Sequence, residues 1–174
     1  MRSNSIAALL GTLLVAGAAQ AATFVVDAHD NSSSGGTGAN TLTLTAGQSF
    51  SVSVDANDLW SAGAIPRWSN ADGLVGNLYA TGSDESGQVA GTQIGQSFGL
   101  WSQGGLSAAY GTLVGQIGSG NYFVVGTSFS GVAASSGVLK LFYWDSNAGD
   151  NTQFVTANVT AVPEPGAAAL MLAG

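Results

Sequence analysis

The chain contains no cysteine and few positive charges. Without cysteine, disulfide bonds, thiol nucleophiles and thiolate metal sites are excluded, so oxygen atoms or the single histidine, His29, would have to hold any metal ion. Hard cations are therefore the expected metals.

The 3 lysines and arginines are outnumbered by 10 aspartates and glutamates, and the formal net charge is −7 at pH 7. Proteins bind nucleic acids and anionic lipid head groups through their Lys and Arg side chains, so we exclude both as partners.

The sequence also lacks the residue patterns of catalytic sites. A hydrolase needs a nucleophile beside a base, or two matched carboxylates. His29 lies in Asp27-Ala28-His29-Asp30, where a solvated turn is its expected role. Asp84 and Glu85 are adjacent in a Gly/Ser-rich stretch, so their carboxylates are expected to point apart. Phosphate-binding glycine loops, nucleophile elbows and zinc spacings are all missing, and we predict that the protein is not an enzyme.

The N-terminus has the pattern of a secretory signal peptide. Arg2 precedes an apolar run over residues 6–15, and Ala19-Gln20-Ala21 fits the small-x-small rule for signal peptidase. The run is too short for a membrane span, which requires about 20 apolar residues. A buried helix or membrane anchor is the alternative interpretation. We expect a helical signal segment over residues 1–21 and a mature chain that starts at Ala22.

Alternation of apolar and polar residues dominates the region 22–161. It runs through residues 41–45 and again through 49–55, which predicts a hairpin with Leu, Phe and Val inward and Ser and Thr outward. Further strands are predicted at residues 23–28, 111–117, 121–126, 138–144 and 152–160. No stretch keeps a helical apolar stripe. The pattern predicts an all-β domain, a β-sandwich or jelly roll.

Two long stretches, residues 31–40 and 71–96, lack this alternation. Loops of such length in a compact domain are usually functional or mobile. The first contains the run Ser-Ser-Ser-Gly-Gly-Thr-Gly, for which slack chain is the alternative interpretation.

Oxygen-bearing side chains are concentrated between the last two predicted strands. Within residues 145–151 they are Asp145, Asn147, Asp150 and Asn151. Calcium takes six to eight oxygen ligands at about 2.3–2.6 Å and tolerates irregular geometry, so this loop is a candidate calcium site. An EF-hand is excluded, because Asp150 stands where that motif needs glycine and Thr156 where it needs glutamate. Since Asp and Asn also populate ordinary turns, a purely structural turn is the alternative.

Several segments resemble a known lectin family. They are Leu59-Trp60-Ser61-Ala62-Gly63 with Arg67-Trp68, Tyr110-Gly111-Thr112-Leu113-Val114-Gly115-Gln116-Ile117-Gly118, and Tyr143-Trp144-Asp145 followed by Gly149-Asp150-Asn151-Thr152. On these residues the region 60–159 resembles the bacterial galactose-binding lectins typified by the PA-I galactophilic lectin. That family is a calcium-dependent β-sandwich, and the resemblance implies a calcium cofactor and a polysaccharide or other glycan as partner.

The resemblance also implies a set of site residues. Asp145, Asp150 and Asn151 match the positions that bind calcium in the family, and the backbone carbonyl near Ala62 matches a further ligand. The hydroxyls of the sugar complete the ion's shell, which places Asp145 and Asn151 at the sugar as well. The family's threonine ligand has no clear counterpart, and no histidine lies between Trp68 and Tyr110 to contact a sugar. The resemblance therefore supports calcium better than galactose.

Tryptophans can stack on sugar rings or fill a core. Trp144 is the first candidate for a sugar contact, because its predicted strand puts Leu139, Leu141 and Tyr143 on the opposite face. Trp68 is a second candidate. We expect Trp144 to face outward.

The C-terminus carries a candidate sorting motif. Val162, Pro163, Glu164 and Pro165 follow the last predicted strand, and an apolar run over residues 166–174 comes next. The prolines must end the strand pattern. The segment resembles the PEP-CTERM sorting motif, also known as the ice-binding protein C-terminal motif, of Gram-negative bacteria that make exopolysaccharide. In that family a transmembrane helix and a basic tail follow, and an exosortase processes them.

The apolar run stops at Gly174 without an arginine cluster, so we expect the sequence to be a piece of a longer protein or the product of a gene truncated at its 3′ end. A chance Pro-Glu-Pro in an ordinary tail is the alternative. The expected order is a signal peptide (1–21), a lectin-like β-sandwich (22–161) and a truncated sorting motif (162–174) that begins an apolar helix and inserts transiently in a membrane. We expect an exported carbohydrate-binding protein of the periplasm, outer surface or extracellular matrix, or alternatively a structural matrix protein without sugar binding.

Overall fold

The computed structural model describes residues 19–162, which form fourteen β-strands and one short 3₁₀ helix. The strands are β1 (Gln20–Asp27), β2 (Ala39–Leu44), β3 (Ser49–Val54), β4 (Trp60–Ser61), β5 (Trp68–Ser69), β6 (Leu78–Tyr79), β7 (Gln93–Gly95), β8 (Leu100–Gln103), β9 (Leu106–Ala109), β10 (Leu113–Ile117), β11 (Phe123–Val124), β12 (Ser128–Val132), β13 (Gly137–Tyr143) and β14 (Phe154–Ala161). The helix, Ala148–Asp150, lies between β13 and β14. The predicted all-β class is confirmed for this part of the chain.

Two four-stranded antiparallel sheets form the body of the domain. The first has the order β1-β14-β3-β12 and the second the order β11-β10-β13-β2. Three two-stranded ribbons, β4–β5, β6–β7 and β8–β9, complete the described fold. The predicted β-sandwich is therefore confirmed.

The main core lies between the inner faces of the two sheets. In β14 every second residue is buried, namely Val155, Ala157, Val159 and Ala161, and they join one cluster with residues of the second sheet such as Leu113 and Leu141. Strict alternation follows from the pleat, which turns successive side chains to opposite faces. Each fully buried Val or Leu contributes about 1.5–3 kcal/mol relative to exposure.

The predicted hairpin between residues 41–45 and 49–55 is wrong, although its side-chain directions are right. Strand β2 pairs with β13, whereas β3 pairs with β14 and β12, so the Thr45–Gln48 turn carries the chain from one sheet to the other. Leu44 and Phe50 are buried as expected. Alternation specifies which face of a strand is apolar, but it does not determine which other strand pairs with it.

Several strands were not predicted. They include the ribbon β8–β9 and the edge strand β12, and the long stretch 71–96 contains the short ribbon β6–β7. These strands are only 2 to 5 residues long, which is too short for alternation to identify them.

The described part of the chain, residues 19–162, includes the last residues of the predicted signal peptide and the first residue of the predicted sorting motif. Gln20 and Ala21, which the sequence assigns to the signal peptide, pair with Ala161 and Thr160 in the β1–β14 ladder. Val162 donates its backbone N–H to Ser49. The predicted signal helix up to residue 18 and the motif residues Pro163, Glu164 and Pro165 lie outside the described part of the chain. Within residues 19–162 no helix is long and apolar enough to cross a membrane.

The ribbon β8–β9 covers the outer face of the second sheet. Beneath it Ala108, Val114, Phe142 and Trp144 form a second buried cluster. Trp144 is 0% exposed, and its indole Nε1 donates a hydrogen bond to the carbonyl of Trp101 at 2.9 Å. The expectation that Trp144 faces solvent is therefore wrong. The strand alternation was read correctly, but a separate ribbon buries the face on which Trp144 lies.

Candidate functional site

The candidate site is the loop that joins β13 to β14, residues 145–151. At its far end Thr152 exchanges two backbone hydrogen bonds with Ser61, each 3.0 Å long. This bridge holds the 61–67 loop beside the 145–151 loop. The structure thus brings together the two loops to which the family resemblance assigns the calcium ligands.

Two of the predicted metal ligands, Asp145 and Asn151, are buried, with exposures of 4% and 5%. We call them the inner pair. Asp145 Oδ1 accepts the backbone N–H groups of Ser146 at 2.6 Å and Asn147 at 3.4 Å. Asn151 Nδ2 donates to the carbonyl of Ala28 at 2.9 Å. The remaining side-chain oxygen, Asn151 Oδ1, is buried and has no hydrogen-bond partner among the described residues.

Burial raises the pKa of the Asp145 carboxyl above its ordinary value of 3.8. The N–H groups of Ser146 and Asn147 and the nearby side chain of Asn151 oppose that rise in pKa, while the charge of Asp150 adds to it. Within residues 19–162 Asp145 forms no salt bridge. A buried carboxylate of this kind lacks a compensating positive charge, and a cation placed beside it would supply one.

The other two predicted side-chain ligands, Asp150 and Asn147, are exposed and already partnered. We call them the outer pair. Asp150 Oδ2 lies 3.3 Å from Arg67 Nη1, and Asp150 Oδ1 accepts Asn147 Nδ2 at 3.1 Å. Asn147 Oδ1 accepts the N–H of Gly149 at 3.1 Å and so caps the 3₁₀ helix. Asn147 Oδ1 thus accepts one hydrogen bond, and because an amide oxygen has two lone pairs, the ligand role of Asn147 stays a prediction.

The predicted backbone ligand, Ala62, lies next to the outer pair. Arg67 Nη1 is 3.5 Å from the Ala62 carbonyl and 3.3 Å from Asp150, so one guanidinium joins both groups. A Cβ atom at Gly63 would lie 2.5 Å from Asp150 Oδ2, which shows how closely the loops approach. Gly63 also has a φ of +117°, which only glycine adopts easily.

The oxygen donors of this site suit calcium. The Asp145 carboxylate, the unpartnered Asn151 Oδ1, the Asp150 carboxylate and the Ala62 carbonyl are all hard oxygen donors, which calcium prefers. The inner pair fits best, because one member has an unmet acceptor and the other an uncompensated charge. Asp150 fits once its ion pair with Arg67 opens.

The sequence analysis missed the residues that brace this loop. The Ser33 hydroxyl accepts the N–H of Asp145 at 3.1 Å and donates to the carbonyl of Asp145 at 3.0 Å. Ser34 Oγ donates to the Ser146 carbonyl at 2.8 Å. Ser33 is buried, so this part of the stretch 31–40 is packed against the site and is not slack chain. Only the run of serines could have hinted at this contact.

The remaining aromatic candidate and the histidine also have defined surroundings. Trp68 is partly buried and packs against the small cluster of Leu59, Ala80 and Ile94. His29 lies in an exposed turn in which Asp27 Oδ1 accepts the N–H groups of His29 and Asp30, as the sequence predicted. Ligand atoms of Asp27, His29 and Asp30 lie within 4.8 Å of one another. The hydrogen bonds of the turn account for this proximity.

Comparison with known proteins found similarity among solved structures. No protein family and no curated protein matches the chain. A solved structure described as "EclA N-terminal domain; PllA-like lectin" is similar, with a TM-score of 0.45 and 16% identity, over 83% of this chain and 95% of that chain. Similarity at this level carries no argument about function, so the candidate site stands on its own geometry.

Proposed function

We propose that the protein is an exported, non-catalytic, calcium-assisted carbohydrate-binding protein whose site is centred on the loop 145–151. The observation that supports this most is the inner pair. Among residues 19–162, the buried Asp145 carboxylate has no cationic partner, and the buried Oδ1 of the neighbouring Asn151 accepts no hydrogen bond. Leaving a buried acceptor unpaired costs about 1–3 kcal/mol, and a bound ion would supply the partner that Asn151 Oδ1 needs.

Asp145 and Asn151 would hold the ion, with Asp150 and the Ala62 carbonyl as further oxygen donors. When bound, calcium supplies a positive charge and coordination positions that neighbouring hydroxyl groups of a sugar can share. Asp145 gives the site its negative charge, and Ser33 fixes the backbone of Asp145 from both sides. Asn151 is fixed through Ala28, so neither inner residue needs to be ordered on binding.

Export and surface attachment rest on the sequence. The signal-peptide pattern of residues 1–21 and the motif Val162, Pro163, Glu164 and Pro165 support export by a Gram-negative bacterium and processing by an exosortase. The C-terminal segment would insert only transiently in the membrane. We propose that the protein acts at the outer surface or in the exopolysaccharide matrix. Because one shallow sugar site binds weakly, many copies on one surface would provide avidity.

Calcium titration followed by thermal unfolding tests the ion. We expect the unfolding midpoint to rise with calcium, because saturation at 100 times Kd adds about 2.7 kcal/mol to the free energy of unfolding. Asp145→Asn should abolish the rise. Asp55→Asn is the matched control, since it removes one exposed carboxylate elsewhere and should leave the rise intact. If Asp145→Asn keeps the calcium-dependent rise in unfolding midpoint, as Asp55→Asn should, the assignment of Asp145 is contradicted.

The same measurement with sugars tests the ligand. The unfolding midpoint is measured in saturating calcium, first without sugar and then with galactose or one of a panel of neutral polysaccharides. A sugar that binds should raise the midpoint further. A sugar increment that disappears when calcium is chelated supports the proposal. No increment with any sugar would contradict carbohydrate binding.

A structural role is the second candidate function, and Arg67 favours it. Its guanidinium already joins Asp150 to the Ala62 carbonyl, so the two loops are connected without any ligand. In that case the protein would be a non-catalytic matrix protein of the biofilm, and a bound ion would only stiffen the loops. Stabilisation by calcium without any sugar increment would identify this role.

A further inference from the structure

Three aromatic side chains form a contiguous strip on the surface beside the candidate site. The rings of Phe98 and Tyr110 meet edge to face with centroids 5.2 Å apart, and the rings of Trp101 and Tyr110 are tilted by 36° with centroids 6.4 Å apart. We call Phe98, Tyr110 and Trp101 the aromatic strip. Phe98 is 42% exposed, whereas Tyr110 and Trp101 are half-buried and also pack against the main core and the second buried cluster, respectively.

The strip is joined to the loop 145–151 by two contacts. The Tyr110 hydroxyl donates to Ser146 Oγ at 3.3 Å. Arg67, whose Nη1 contacts Asp150, also places its guanidinium carbon 4.8 Å from the centre of the Phe98 ring. The aromatic surface and the oxygen-rich loop therefore form one continuous surface.

The chemistry of this surface suits a carbohydrate chain. Aromatic rings that are partly exposed offer large apolar area at little entropic cost and pack against the apolar C–H faces of pyranose rings. The net charge of −7 disfavours polyanionic glycans. A neutral chain could place one unit at the loop and its next units along the strip.

We propose that the aromatic strip is a second subsite, which makes the protein selective for extended neutral glycan chains over single sugars. This inference rests on the proposed function, because it needs the first sugar unit at the loop 145–151. The strip binds by stacking, and the loop binds by coordination and hydrogen bonds. Chain length is the variable that separates the two contributions.

The test is the affinity of the full chain, in calcium, for neutral galactan and glucan oligosaccharides of one to six units. For the unmodified protein we expect affinity to rise about tenfold or more from one unit to four, since each added aromatic contact contributes about three- to tenfold. Phe98→Ala should reduce that gain by about three- to tenfold while the affinity for the single sugar changes by less than about twofold.

One variant serves as the control. Leu100→Ala removes a neighbouring apolar side chain that is 67% exposed and outside the strip, so it should keep the full chain-length gain. Equal unfolding midpoints for all variants establish that each is folded, which the exposure of Phe98 favours.

The outcomes separate this inference from the proposed function. Binding of single sugars with no gain for longer chains, or a gain that Phe98→Ala leaves intact, overturns the second subsite alone. No binding of any oligosaccharide by the unmodified protein overturns the proposed function and the subsite with it.

Discussion

Two acidic loops of this protein differ in how their carboxylates are satisfied. In the 81–88 loop Asp84 accepts hydrogen bonds from the backbone N–H and hydroxyl groups of both Thr81 and Ser86. Burial alone would raise the pKa of Asp84, but these four donors lower it from 3.8 to about 2. Asp145 has the opposite balance, because its burial outweighs the N–H groups that it accepts and its pKa is raised.

The comparison shows that acidic residues in a polar loop do not make a cation site by themselves. Asp84 is stabilised as an anion by its own loop and needs no further positive charge. Asp145 is buried with fewer donors and lies beside Asn151, which has an unpartnered oxygen. The unmet electrostatic need, and not the number of carboxylates, identifies the candidate site. The following variants test that distinction, from the largest expected effect to the smallest.

Asn151→Ala should have the largest effect. It removes the hydrogen bond to the Ala28 carbonyl and leaves that acceptor unpaired, which should lower the free energy of unfolding by about 1–3 kcal/mol. It should also abolish stabilisation by calcium. Urea unfolding with and without calcium measures both effects. Asn57→Ala is the control, because Asn57 is exposed and its side chain donates a local hydrogen bond to the Asp55 carboxylate two residues away. Full retention of the calcium effect in Asn151→Ala would exclude Asn151 as a ligand.

Asp145→Asn separates ion binding from folding. At pH 7 without calcium we expect the free energy of unfolding to stay equal or to rise by up to about 1 kcal/mol, because the neutral amide avoids the cost of a buried charge. Stabilisation by calcium should be lost. Urea unfolding without calcium, compared with the unmodified protein, gives the first value. A marked loss of stability in calcium-free buffer would show that the charge of Asp145 is compensated within the fold.

Arg67→Gln tests whether the guanidinium competes with a cation. We expect calcium to bind about three- to tenfold more tightly, because Asp150 and the Ala62 carbonyl lose their present positive partner. Isothermal titration calorimetry measures the affinity. Lys140→Gln is the charge-matched control, and it should change calcium affinity much less. Weaker calcium binding in Arg67→Gln would mean that Arg67 organises the site.

Asp84→Asn should have the smallest effect on the free energy of unfolding, and that effect should change only at acidic pH. Its pKa in the folded protein, about 2, lies below the ordinary value of 3.8, so the stability it contributes is present above about pH 4 and is lost as pH falls towards 2. Because the loop is partly exposed, we expect less than about 1 kcal/mol. The difference in unfolding free energy between the unmodified protein and Asp84→Asn should shrink over that range. A difference that is constant with pH would contradict this assignment.

Strand β13 shows what the sequence can and cannot predict. Its alternation correctly separates Leu139, Leu141 and Tyr143 from Phe142 and Trp144, since the pleat alone fixes side-chain direction. The same pattern gave no information about the β8–β9 ribbon that buries Trp144. In the same way, the turn after β2 was recognised, but the transfer of the chain to the other sheet was not.

By itself the sequence determined the all-β class, the apolar face of each main strand and the concentration of oxygen-bearing side chains in residues 145–151. Each of these depends on neighbouring residues and on the two-residue period of a strand. Only the tertiary structure decided which of those residues are buried and which have partners outside the loop, because the groups responsible, Ala28, Ser33 and Arg67, are distant in sequence. Burial and hydrogen bonding arise from contacts between remote segments, which a local pattern does not encode.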